Sequence, residues 1–551
     1  MVVDVAPLSS LEKEKFLKRL PSHFTFCLTL DDERGALERL TLILHSVPPA
    51  FSAPMYNMLG YISYLNEEYE NAIQYFDVSS SLDKDNLVGI ANQIHLLRRL
   101  EKFEAANITL ESVMAATASL PRHRERQKIG RSIADIAWAH SFLGLNCVAD
   151  RLFSTSQIYE PDHEFTALGA ALVQYNFSKH IDRIAERYYL TESSEKLHSI
   201  IQKKPEFNLP KVYLARLLNR RDANQRDGMD PKAKKLLNEA LKRSDPFTDY
   251  MVAKEKEKYD DYDGSEGCIH LFNRSIKKHP TSFAYLHLAQ SKKCKLFKGR
   301  SLDESAEIEK IINKLAEERE PPEPVKKSDS SRGDRYSKHD KNPPKPPTPP
   351  PPPTSEQINE EILAELAEIT RYLENALILN PNQQRCFLEL ANVSILRNSK
   401  DAAFAYLKQA AEDSKDCSVK ARAYRNLSYF HLIDGDVPQA NTFMEQAFKY
   451  GISTLCKSEE KAKLVGFICT LLENLLNTGQ VSESKQWVEY LVSVEHPEAP
   501  EFKARYSRYK QLKGTGSKAG GLKVSTAISR TRKPQRTTQI TKTSITGDKR
   551  G

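Results

Sequence analysis

The sequence predicts an all-α, right-handed solenoid of antiparallel helical hairpins, interrupted by a disordered proline-rich insert and closed by a disordered basic tail. Three observations carry that prediction. Small and apolar residues recur with a thirty-four-residue period, one tract holds twelve of the 29 prolines, and the excess positive charge is confined to the residues after 513.

The period is set by the stretch "YNMLGYISYLNEEYENAIQYF", residues 56 to 76. Counting a unit from Ala53 places Tyr56 at position 4, Leu59 and Gly60 at 7 and 8, Ala72 at 20, Phe76 at 24 and Asn86 at 34. Ala106 and Leu110 then follow Ala72 and Phe76 at the same interval, so the next unit begins without a gap. A hairpin explains the residue types. Position 8 of the first helix must be small because position 20 of the second crosses it closely, and larger side chains fill the space around that crossing. Gly60 and Ala72 are the pair expected to touch.

The same register returns along the chain. Ile136-Ala137, Ala149, Phe153 and Pro161 occupy 7-8, 20, 24 and 32 of a third unit, and Leu390-Ala391, Ala403, Leu407 and Ala410 fit a later one. Leu427-Ser428, Gly435, Ala440, Met444 and Ala447 fit the next, while weaker units end at Pro205, Pro246, Pro280 and near Pro497. About ten hairpins are expected in all.

Five regions follow from this reading: a mostly helical N-terminal cap (1–52), a repeat array (53–299), a charged and proline-rich insert (300–355), a second part of the array (356–513) and the tail (514–551). In the cap, Ser9-x-x-Glu12 reads as a capping box, and "SHFTFCLTL" alternates as a strand would. The insert splits one hairpin: "FAYLHLAQSKKCKLF" reads as its first helix and "LAEITRYLENALILNP" as its second, restarted by a capping box at Thr354-x-x-Gln357. Between them the charged residues 302 to 319 read as helical, and "KNPPKPPTPPPPP" forces polyproline II. Lys341, Pro344 and Pro347 match a basic PxxP ligand for an aromatic groove of the SH3 type; the alternative is a stiff spacer.

Chemistry is limited by what is missing. No GxxxxGK[ST], GxGxxG, HExxH or GxSxG stretch occurs, and the acidic "YDDYDGSEG" (259 to 267) reads as a solvated turn. The protein is therefore expected not to be an enzyme and to need no cofactor. Eight cysteines with no CxxC pair read as reduced, and Cys268-x-His270 lacks the second ligand pair of a structural zinc site. With neither a signal peptide nor a long apolar run, the expectation is a soluble protein of the cytosol or nucleus with no membrane contact.

A solenoid offers a concave groove, lined at positions 2, 5, 9 and 12 of the first helices. This numbering selects Asn57, Tyr61, Tyr64, His95, Arg98, Arg131, Trp138, Arg422, Arg425 and Tyr429. Aromatic rings beside arginine suit an extended peptide, a phosphorylated peptide or single-stranded nucleic acid. The first expectation is a non-catalytic scaffold that binds protein partners through groove and insert. The rival is RNA binding, to which "RHRERQKIGR" (122 to 131), "KKCKLFKGR" (292 to 300), Arg98 and Arg99 would add a phosphate strip. The tail carries a net +8, equal to the charge of the whole chain, so residues 1 to 513 are neutral. Such a tail could hold RNA or another polyanion, or merely keep the chain in solution.

These motifs, over nearly residues 53 to 498, resemble the tetratricopeptide repeat superfamily. "LPSHFTFCLTLDD", "DIAWAHSFL" and "KVYLARLLNRRD" are similar to the family of tetratricopeptide repeat protein twenty-two, which implies an uncharacterised scaffold. More distantly, the chain resembles the interferon-induced proteins with tetratricopeptide repeats, which implies binding of foreign RNA ends in a basic tunnel. The proline insert and basic tail depart from both.

Overall fold

The computed structural model describes residues 9–25, 32–84, 86–118, 120–178, 183–221, 228–259, 264–298, 355–455 and 458–515. Among these residues there is no strand, and the chain divides into two compact units, 1–459 and 460–551.

The first unit opens with α1 (Ser10–Leu17) and α2 (Glu33–Leu44). Hairpins follow: α3 (Ala53–Leu65) with α4 (Tyr69–Leu82), α5 (Leu87–Arg99) with α6 (Phe103–Ala118), and α7 (Arg122–Phe142) with α8 (Asn146–Tyr159). Then come α9 (Glu164–Phe177) with α10 (Arg183–Lys203), α11 (Asn208–Arg221) with α12 (Pro231–Leu241), and α13 (Pro246–Lys256) with α14 (Gly264–Lys278). The unit ends with α15 (Ser282–Lys298) and α16 (Ser355–Leu379), α17 (Gln384–Leu396) and α18 (Lys400–Asp413), α19 (Cys417–Ile433) and α20 (Val437–Lys449), and the short α21 (Ile452–Leu455).

One turn recurs inside these hairpins. Glu67, Glu101, Gly144, Asn398 and Gly435 all take positive φ. In each case the following N–H reaches back to the first helix, as Glu68 N–H does to Ser63 O at 2.8 Å and Asp436 N–H to His431 O at 2.9 Å. That bond satisfies carbonyls a helix end would leave orphaned, and reverses the chain within about one residue.

The small residues at position 8 work as the period requires. A Cβ on Gly60 would lie 2.5 Å from the ring of Phe76; on α9, a Cβ on Gly169, at position 6, would lie 2.2 Å from Phe153 of the preceding hairpin. The nearest neighbour of Gly60 is thus the aromatic ring at position 24. Ala72 is fully buried in its own right.

The helices on either side of the long insert pack together: Leu286 and Ala289 of α15 share a core with Leu366, Ile369, Leu373 and Ala376 of α16. Thr354, Lys341, Pro344, Pro347, the 302–319 stretch and the tail after 515 lie outside the described residues.

The N-terminal region departs most from expectation. Ser9 and Glu12 do form the capping box, but Ser22–Thr25 is a turn and not a strand, because the Asn92 side chain accepts hydrogen bonds from His23 N–H (2.9 Å) and Ser22 Oγ–H (2.7 Å). Nor is α2 merely a terminal cap. It packs against α3, α13 and α15, with Leu40 and Leu42 buried. Glu38 on this helix accepts from Ser282 N–H at 3.0 Å, and Asp32 just before it accepts from Asn380 Nδ2–H at 3.1 Å. The start of the chain is therefore bonded to hairpins some 250 to 350 residues later.

The second unit comprises α22 (Ser458–Asn477), α23 (Val481–Ser493) and α24 (Ala499–Thr515). Ile468, Leu471 and Leu475 of α22 are buried there, as are Trp487 and Leu491 of α23 and Phe502 of α24.

Candidate functional site: an internal cationic and aromatic lining

The groove residues expected in the first units are largely consumed by the chain itself. Asn57 is fully buried and donates to the Asp135 carboxylate, which also accepts from Asn86 Nδ2–H at 2.6 Å and lies 3.4 Å from His23 Nε2. Tyr61 is 4% exposed. Phe24 covers it edge-on at 5.2 Å and also meets Tyr64 (4.7 Å) and His95 (5.9 Å, stacked). Burial, then Arg98 and Arg99, push the His95 imidazole below its ordinary pKa. Arg98 pairs with Glu14 at 2.7 Å.

The third unit is equally closed. Arg131 is held between Asp83 (3.0 Å) and Glu160 (3.1 Å), and Trp138 stacks on Phe165 at 4.6 Å. Of the expected lining, Arg422 is exposed, while Arg425 and Tyr429 are half-buried; Arg425 bonds the neighbouring Asn426 side chain at 3.1 Å. These three share α19 and are not brought to the α3–α7 residues by any contact the structure shows.

A different set of residues is gathered by the middle hairpins. Carrying the position count into α11 and α13 places Arg216 and Lys254 at position 9 and Tyr250 at position 5; in α17 Arg385 stands at position 2. The first two of these helices escape a reading by period because their units match it weakly, while Arg385 lies in a unit whose register is clear. In the structure Arg216 lies over the rings of Tyr175 (5.8 Å) and Tyr213 (5.6 Å), and Arg220 lies over Tyr175 at 5.8 Å. The Lys254 ammonium sits 5.7 Å from the Tyr250 ring, which in turn meets His287 at 5.8 Å. From α2, Arg39 lies 5.6 Å over Phe142.

The electrostatics of this set separate it from the front groove. Arg216 shares the buried Glu255 with Lys258, at 3.4 and 2.8 Å. Arg220 pairs with Glu186 at 2.7 Å, and Arg385, mostly exposed, has Asp416 at 3.7 Å. Lys254 has no ion pair among the described residues; Glu257 acts on it only at longer range. Burial, followed by repulsion from Arg216, Lys258 and Arg385, pushes its pKa down to about 8. His287 is pushed to about 3 by burial and then by Lys254 and Arg385, so it is neutral at physiological pH; its Nδ1 has no hydrogen-bond partner among the described residues, with Glu257 4.0 Å away. Lys254, pressed by like charges and with no ion pair of its own among the described residues, is the group an incoming anion would relieve. The flanking phenyl and phenol faces can stack planar groups.

No family profile matches the chain. Among solved structures, the human IFIT1 dimer with m7Gppp-AAAA matches with a TM-score of 0.62 at 16% identity, covering 91% of this chain and 99% of that one. The fold is that of human IFIT1. A second structure, the human IFIT1 dimer with PPP-AAAA, gives a TM-score of 0.59 at 15% identity over 90% and 99% of the two chains. Identity this low establishes the IFIT1-type tetratricopeptide solenoid as the architecture and leaves the ligand to be argued from this chain's own residues. In that fold the present chain is a helical-repeat solenoid. Among its described residues, no helix is long and apolar enough to cross a membrane.

Proposed function

We propose that this protein is a non-catalytic binder of single-stranded RNA, holding phosphates at Arg216, Lys254 and Arg385 and stacking bases on the neighbouring tyrosines. The observation that carries the reading is Lys254: a half-buried ammonium without an ion pair among the described residues, pressed by three cations. A phosphate beside it would supply the missing counter-charge. The IFIT1 structures of the same fold are those with m7Gppp-AAAA and with PPP-AAAA, which supports the reading by analogy of fold. The cytosol or nucleus is the corresponding place of action.

A second reading keeps protein partners. It rests on Arg422, Arg425 and Tyr429, which reach solvent on α19 and suit an acidic peptide. The similarity to tetratricopeptide repeat protein twenty-two fits this scaffold reading.

The test is a titration of the full chain with single-stranded RNA bearing a 5′ triphosphate, at two salt concentrations, beside the Arg216→Met/Lys254→Met double variant. The variant should lose on the order of tenfold or more in affinity, and its log–log salt slope should become shallower by about 1.4, at ~0.7 per phosphate contact. Unchanged RNA affinity in the variant would show that the internal lining is not the site and that the basic tail accounts for the binding. Loss of acidic-peptide binding on Arg422→Ala/Arg425→Ala, with RNA binding absent, would favour the second reading.

A further inference from the structure

The second unit brings three metal-ligating side chains of different chemistry together. Cys469 lies in the middle of α22, while His496 and Glu498 lie in the turn between α23 and α24. The Cys469 Sγ to His496 Nδ1 distance is 3.9 Å, and the thiol, imidazole and carboxylate ligand atoms all lie within 4.8 Å of one another. Cys469 and His496 are half-buried and Glu498 is exposed.

The backbone holds this turn in place. Glu495 takes a positive φ of 54°, which lets His496 N–H donate to Leu491 O at 3.0 Å. Ala499 N–H then donates to His496 O at 3.0 Å, and Phe502 N–H donates to Glu498 O at 3.1 Å as α24 begins. Both ends of the turn are thereby bonded. Glu498 N–H also lies 3.4 Å from His496 Nδ1, a long contact that a metal bound at this nitrogen would replace. Glu473, one turn after Cys469 on the same helix, adds a second carboxylate near the thiol, and its ion pair with Arg505, at 3.5 Å, is long.

From this geometry we propose a Zn²⁺ site formed by Cys469, His496 and Glu498. A tetrahedral zinc with bonds of about 2.3 Å to sulfur and 2.0–2.2 Å to nitrogen and oxygen sets its ligand atoms about 3.4–3.6 Å apart. The sulfur and nitrogen are within a few tenths of an ångström of that spacing. The exposed Glu498 side chain can rotate the remaining distance, on the order of 1 Å. A thiolate, an imidazole and one carboxylate select zinc over magnesium or calcium, which take oxygen ligands alone. On binding, the S–H bond breaks, its proton passes to solvent, and the sulfur lone pair forms the bond to the metal, with no change of oxidation state. Water completes the fourth position. The ion would tie the α23–α24 turn to α22, because its ligands come from both sides of that junction.

The test uses the full-length reduced chain titrated with Co²⁺ and followed by thiolate-to-cobalt charge-transfer absorption. One equivalent should produce the band, and added Zn²⁺ should remove it. Cys469→Ser should abolish the band, and Glu498→Gln, an exposed change that leaves the helices intact, should weaken Co²⁺ binding on the order of tenfold or more. Circular dichroism checks that each variant is folded; should Cys469→Ser fail to fold, Glu498→Gln together with His496→Gln decides the question. Absence of the band in the unaltered chain overturns the proposal, as does a band undiminished in Cys469→Ser or an affinity unchanged in Glu498→Gln.

Discussion

The front hairpins, α3 to α7, and the middle hairpins, α11 to α17, follow the same repeat rules and present polar and aromatic residues at the same inward positions. Their outcomes differ. In the front, Asn57, Tyr61, His95 and Arg131 are met by Asp135, Phe24, Asp83 and Glu160 from elsewhere in the chain. In the middle, Arg216 and Arg385 keep carboxylate partners, while Lys254, pressed by both charges, has no ion pair among the described residues. A position in the repeat nominates a lining residue; the partner it finds decides whether it is free to bind.

The largest test of that contrast is Asp135→Ala. It removes the acceptor shared by Asn57 and Asn86 and leaves both, with His23, buried without it. Denaturant unfolding should report a loss of about 3–5 kcal/mol, the scale for breaking a buried charged network. RNA affinity per folded molecule should stay the same. A loss below about 1 kcal/mol would mean that the front cluster is not what fixes the N-terminal segment.

Next in size is Arg131→Ala, which leaves Asp83 and Glu160 without their shared cation. Roughly 2 kcal/mol of stability should go, with RNA binding unchanged, since this arginine is already neutralised. A large loss of RNA binding would erase the distinction between the two regions.

Lys254→Met should behave in the reverse way, weakening RNA about tenfold, equivalent to ~1.4 kcal/mol, while leaving the melting temperature level or raising it. Its pH dependence sharpens the point. In the unfolded chain Lys254 holds its proton to about 10.5, but in the fold only to about 8. Between those values the unfolded state binds more protons, so this group makes the free protein more stable as pH rises from 8 to 10.5. RNA affinity should fall over the same rise, because the ammonium is being lost. Calorimetry and binding measured across that window should diverge, and a Lys254→Met chain should show neither trend.

The smallest effect concerns the shared turn. Glu67 and Glu101 adopt a left-handed conformation that costs an L-residue about 1 kcal/mol and glycine nothing. Glu67→Gly should therefore add up to about 1 kcal/mol in denaturant unfolding, less the extra freedom glycine gains in the unfolded chain. No change in binding is expected at either region.

The hairpins were legible because their cause is local. A thirty-four-residue period of small and apolar positions leaves few ways to bury them, and the Leu-Gly, Ala and Phe marks from residue 56 onward fall on α3 and α4 where the period puts them. Even the need of Gly60 for a close neighbour shows in that period, and its nearest neighbour is Phe76. The candidate site was less legible. Arg216 and Lys254 sit at the inward position 9 of their helices, but in units whose period is weak, and nothing in the order of residues announces that Arg385, more than 130 positions after Lys254, presses on the same ammonium. Ser22–Thr25 alternates like a strand, yet a single distant side chain, Asn92, bends it into a turn.

By itself, then, the sequence determined the helices, their pairing and the positions that face inward, since these depend on period, side-chain volume and turns closed within a few residues. Tertiary structure decided which of those inward residues the fold pairs with a counter-charge and which it leaves without an ion pair. The reason is that charge balance and burial are set by groups hundreds of residues apart, as Glu38 and Ser282 or Asp32 and Asn380 are, and no local pattern records them.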